Sequence, residues 1–169
     1  MADGVSGNSP VNQSAFRTTV QDRIRILEMY KRIAMVGLSS NPFRPSHFAA
    51  IYMISEGYDV VPVNPGEAKI LGRRSYPSLR DVPGPIEIVD IFRERAAVPE
   101  IVEDAIARGA RVIWMQLGVI HEKAAARARE AGLDVVMDRC VKIEHARFFG
   151  GLSTIGLNTG VISALKRKD

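Results

Sequence analysis

Five short apolar runs, IAMVGL, YDVVPVN, IEIVDIF, RVIWMQLG and LDVVMD, recur along the chain with longer segments between them. None of the runs alternates apolar with polar residues, so each reads as a strand buried on both faces, the habit of interior parallel strands. The segments Ser46 to Glu56, Ala96 to Arg108 and Glu122 to Ala131 carry helical patterns, whereas the link after the second run is polar and punctuated by proline. Strands alternating with helices predict an α/β fold with a mostly parallel sheet of about five or six strands, covered by helices on both faces. In 169 residues this makes one domain with a real core. The runs end at Leu38, Asn64, Phe92, Leu117 and Asp138, which parallel strands place on one edge, where ligands collect at the switch point of such sheets.

Outside this series, residues 1–17 are rich in Gly, Ser, Asn and Ala and are expected to be disordered. Thr18 or Thr19 can cap a first helix, with Gln21 or Asp22 three positions on and Val20, Ile24 and Leu27 on one face. After Asp138, RCVKIEHARFF predicts a last short helix, and the glycine-rich stretch that follows reads as a loop or irregular strand packing Ile155, Leu157, Val161 and Ile162 across the domain. The domain is expected to span 18–163, with a basic tail at 164–169. No apolar run is long enough to span a membrane and the first residues lack a targeting pattern, so the expected location is the cytoplasm. The single cysteine, Cys140, excludes an internal disulfide framework and a thiolate-cluster zinc site. A net charge of +4, spread along the chain, argues against nucleic acid as partner.

The edge itself carries the chemistry. VGLSSNPFRPSH places Gly37, Ser39, Ser40, Asn41, Arg44, Ser46 and His47 between the first strand and a helix, where unpaired helix N–H groups favour an anion and Arg44 can grip a phosphate. The competing structural reading makes Ser46 an N-cap and leaves Arg44 in solvent. At the second tip, Asn64 before Pro65 and Gly66 either binds a ligand or caps the turn, and no acidic residue stands at that tip to hold a dinucleotide ribose; Asp59 is at the strand's other end. Phe92 and Arg93 end the third run, with Glu94 and Arg95 available for a surface network instead; Gln116 and Gly118 end the fourth. Arg139 beside Cys140 would lower the thiol's pKa. No compact acid-base pair, metal-ligand cluster or GK(S/T) signature is present.

The ordered strings VGLSSNPFRPSH, GYDVVPVNPG, ILGRRSYPSL, DIFR, VPEIVEDA, WMQLG, AGLDVVMDRC and GLNTGVIS resemble the stand-alone CoA-binding proteins, whose domain is similar to the N-terminal Rossmann-like domain of the succinyl-CoA synthetase alpha subunit. The resemblance covers about Thr18 to Ser163. It implies a Rossmann-like three-layer sandwich that binds coenzyme A or an acyl-CoA without catalysis. Gly37, Ser39, Asn41, Arg44, Ser46 and His47 would surround the phosphates, Asn64 and Pro65 the adenosine, and Phe92, Arg93, Gln116 and Gly118 the neighbouring tips. The synthetase's phosphohistidine domain has no counterpart here, so ligase activity is not implied. Two other functions remain open: an NAD(P)-binding oxidoreductase, from the general layout, and a regulatory module that senses CoA through a protein partner or homodimer.

Overall fold

The structure is a computed structural model that describes residues 18–150; the expectations for 1–17 and for everything beyond Gly150 lie outside the described residues. Helix α1 (Val20–Met29) leads into β1 (Arg32–Val36), α2 (Pro45–Ser55) and β2 (Asp59–Val63). A small antiparallel hairpin, β3 (Lys69–Ile70) and β4 (Arg73–Arg74), occupies the polar link. Then come β5 (Ile88–Ile91), α3 (Val98–Ala107), β6 (Val112–Met115), α4 (Glu122–Glu130), β7 (Asp134–Val136) and α5 (Val141–Phe149).

Five parallel strands form the sheet in the order β2-β1-β5-β6-β7. This is the Rossmann-like α/β arrangement, with its switch point between β1 and β5. Because every strand is buried on both sides, the sheet divides the core in two. One side packs Ala34, Val36, Val89, Ile91, Ile113 and Met115 against α3 and α4. The other packs Ile33, Met35, Ile88 and Trp114 against α1, α2 and α5. Pro62 is tolerated because β2 is the sheet's edge, and its carbonyl accepts the Tyr76 amide at 3.1 Å. The strands are shorter than the apolar runs: Leu38, Asn64, Phe92, Leu117 and Asp138 all lie just past the ladder, where the chain turns away from it.

Thr19 caps α1 in a full capping box with Asp22. The buried face is Arg23, Ile26 and Leu27; of the expected Val20, Ile24 and Leu27, Leu27 is buried, Ile24 is half-buried and Val20 is exposed. Arg23 is buried because Glu144 on α5 meets it at 2.7 Å, and the same carboxylate holds Arg147 at 3.1 Å. Both α1 and α5 thereby lie on the α2 side of the sheet, so the site is framed by the N-termini of α2 and α5.

Candidate functional site

At the switch point the tips of β1 and β5 nearly touch. Phe92 donates its amide to the Val36 carbonyl at 2.8 Å, and Gly37 donates to Val63 at 2.9 Å. Gly37 has φ +88°, and a Cβ there would lie 2.4 Å from the Phe92 carbonyl oxygen and 2.9 Å from Arg93 Cδ. The glycine is therefore required by the neighbouring strand tip as well as by its own turn.

Beside this crossing lies a cavity of about 640 Å³, lined by Gly37, Ser39, Arg44, Ser46, Phe92, Arg93 and Gln116 among the expected residues. Pro45, Leu117, Val119, Cys140 and Ile143 complete the wall. These five are apolar or thiol side chains that carry no spacing signal. Arg44 stands at the α2 N-cap, exposed, and its guanidinium has no partner among the described residues. Arg93 is committed elsewhere: its guanidinium meets both Glu94 carboxylate oxygens, at 3.1 and 3.0 Å.

The β1–α2 loop is organised by its own polar side chains. Ser46 is not the N-cap; it is buried in the first turn, where its hydroxyl accepts the Ser39 amide at 3.2 Å. The Ser39 hydroxyl accepts the Asn41 amide at 3.1 Å, and Asn41 Oδ1 accepts the Phe43 amide at 3.0 Å. His47 Nδ1 sits 2.9 Å from the Ser39 carbonyl. Asn64 resolves to turn and loop support: its Oδ1 accepts the Gly66 amide at 2.8 Å while Nδ2 donates to the Leu38 carbonyl at 2.9 Å. Pro65 is exposed in that turn. Ser40, next to the cavity-lining Ser39, donates both its hydroxyl and its amide to the Glu67 carboxylate. The second tip thus does have an acidic residue close by, three positions past Asn64. It escaped the sequence reading because the Asn64–Pro65–Gly66 turn folds it back onto the first loop.

In the cavity wall, Gln116 is buried and engaged through both its amide nitrogen and its oxygen. Its Nε2 donates to Asp90 Oδ1, and its Oε1 accepts the Val141 amide at 3.4 Å. Asp90 has no exposed surface, and its Oδ2 lacks a partner among the described residues. Burial pushes its carboxyl up to about 8, the hydrogen bond from Gln116 opposing this only in part, so it is protonated at neutral pH. Gly118 turns the chain at φ +85°, with its amide on Asp138 Oδ1 at 2.8 Å, and does not line the cavity. Cys140 does line it, yet its thiol is pushed up by burial, which outweighs the nearby backbone amides; the lowered pKa expected from Arg139 is not found. The remaining histidines are structural: His121 Nδ1 caps α4 through the Ala124 amide at 3.1 Å, and His145 is wedged among Tyr52, Tyr58 and Phe149. Among the described residues no group of His, Cys, Asp and Glu could hold a metal ion, and no helix is long and apolar enough to cross a membrane.

A sheet with this order and a basic, partly apolar cavity at its switch point make a Rossmann-like α/β domain with a candidate ligand site. Residues 31–146 match the CoA binding domain family, and the chain belongs to it. Among its relatives, the uncharacterized protein YneT of Bacillus subtilis is 41% identical over 121 residues, covering 72% of this chain and 90% of YneT. The solved structure of a hypothetical protein from Pyrococcus horikoshii is 40% identical with a TM-score of 0.78, covering 86% of this chain and all of that one. An ADP-forming acetate–CoA ligase of Archaeoglobus fulgidus is 29% identical over 149 residues. The match takes in 85% of this chain but only 21% of the ligase, so the chain corresponds to its CoA-binding part.

Proposed function

We propose that the protein binds coenzyme A or an acyl-CoA, with the ligand's phosphates at the β1–α2 loop and its arm along the cavity, and that it acts by binding rather than by catalysis. The observation that carries this reading is the two-part character of the switch-point cavity. Its wall carries Arg44, a guanidinium at a helix N-terminus with no partner among the described residues, together with Gly37, Ser39 and Ser46; Arg93 and Gln116, both engaged by other side chains; and the apolar or thiol side chains Pro45, Phe92, Leu117, Val119, Cys140 and Ile143. A ligand that is polyanionic at one end and extended and weakly polar at the other is complementary to both halves.

Membership in the CoA binding domain family supports CoA over other adenosine nucleotides. Binding without catalysis is supported by the engagement of the candidate acid-base groups: His47, His121 and His145 each hold backbone or ring contacts, and Asp90 lies behind Gln116. The test is calorimetric titration of CoA into the wild type and Arg44→Ala. Loss of a charge-assisted phosphate contact predicts about tenfold or greater weakening, with an unchanged melting temperature because the Arg44 side chain has no other partner among the described residues. Equal affinity of the two proteins would remove Arg44 from the site.

A further inference from the structure

One contact brings an anion onto the donors of the β1–α2 loop. Glu67 Oε1 accepts the Ser40 hydroxyl at 2.8 Å and Oε2 accepts the Ser40 amide at 3.2 Å. Two oxygens of one anion on an amide and a hydroxyl of the same residue is the way a loop of this kind holds a phosphate. Ser40 follows Ser39, which lines the cavity. The placement of Glu67 is also enforced. Asn64 ties the β2 tip to the Leu38 carbonyl, its Oδ1 closes the turn on Gly66, and the Ser75 amide bonded to the Ala68 carbonyl at 3.0 Å anchors the chain on the far side. The carboxylate is thereby delivered onto the first loop by a braced turn.

We propose that Glu67 is an internal competitor for the ligand: its carboxylate occupies donors of the β1–α2 loop that a ligand phosphate takes, so that binding displaces it and its charge sets how strongly phosphate-bearing ligands are held. This rests on the CoA reading above and adds to it a residue that determines affinity and ligand charge. A phosphate bound at Ser40 replaces the carboxylate there. One bound beside it meets a like charge at close range. Either way the anionic side chain costs affinity, and a neutral side chain of the same shape restores it.

Glu67→Gln keeps the size of the side chain and an oxygen that can accept from Ser40, so the turn is retained. Titrated with CoA, it is expected to bind about five- to tenfold more tightly than the wild type. In a Ser40→Ala background the same substitution should gain about threefold less, because the hydroxyl for which the two anions compete is gone; a general change in surface charge would give the same gain in both backgrounds. Dephospho-CoA separates the two phosphate sources. A gain confined to CoA assigns the competition to the ribose 3′-phosphate, and an equal gain for both ligands assigns it to the pyrophosphate. Unchanged CoA affinity in Glu67→Gln overturns the proposal, and so does a loss of affinity, which would make the carboxylate an acceptor for a ligand hydroxyl. If neither protein binds CoA, the reading under Proposed function falls and this inference falls with it.

Discussion

Replacing Gly37 by alanine tests the geometry on which the whole site depends. Two separate costs arise at this position. The backbone sits at φ +88°, in the region that L side chains avoid, worth roughly 1–2 kcal/mol. The new methyl would also lie 2.4 Å from the Phe92 carbonyl oxygen, a backbone atom held by the Phe92 amide's own bond to Val36, so the β5 tip has to move. Together these predict a loss of about 2–4 kcal/mol. With a urea slope of about 2 kcal/mol/M for a domain of this size, the unfolding midpoint should fall by roughly 1–2 M. Gly118→Ala is the internal control. Its φ is +85°, but nothing lies within 4 Å of the added carbon, so it should show the backbone cost alone. The measurement is urea unfolding of both variants, followed by circular dichroism with the slope fitted freely. Gly37→Ala no more destabilising than Gly118→Ala would refute the claim that the two strand tips are in contact.

Two further outcomes follow from the buried ionisable groups. Glu144→Gln leaves Arg23 and Arg147 facing a neutral amide in a site that is about 95% enclosed for both side chains, and should cost about 3 kcal/mol in the same unfolding assay, whereas a loss below about 1 kcal/mol would show that water reaches the cluster. Asp90 is protonated in the folded chain up to about pH 8, while in the unfolded chain it releases its proton near pH 4. The folded state holds the extra proton between these values, so Asp90's contribution is fully present at low pH and is lost as pH rises to about 8, at up to about 1.4 kcal/mol per pH unit. Asp90→Asn removes that slope; parallel stability profiles of the two proteins from pH 5 to 9 would contradict it.

The sheet was legible because nothing interrupts its apolar runs: a strand buried on both faces needs no partner to be recognised, and five of them in series leave few topologies. The first loop was legible for the same reason, since a glycine, hydroxyls and an arginine stand directly between a strand and a helix. What could not be read depends on contacts distant in sequence. Arg23 looks like a solvent-facing residue until Glu144, 121 positions away, is brought against it. Asp90 hides inside IEIVDIF, where a lone carboxylate argues against burial, and it is accommodated by staying neutral against Gln116 from the next strand. The arginine next to Cys140 would by itself lower the thiol's pKa, but burial at the cavity wall dominates. Glu67 sits past a proline-glycine turn, and only the fold of that turn sets it on Ser40. Part of the cavity's apolar wall escaped as well, because Val119 and Ile143 look like any other core residue.

The central claim is that the switch-point cavity is a coenzyme A site, and isothermal titration of the wild-type chain with CoA, alongside NAD, tests it most directly. The account predicts saturable CoA binding with one site per chain, weakened as salt is raised because phosphate contacts contribute to it, and no measurable heat from NAD at the same concentrations. Saturable binding of NAD with none of CoA would contradict it.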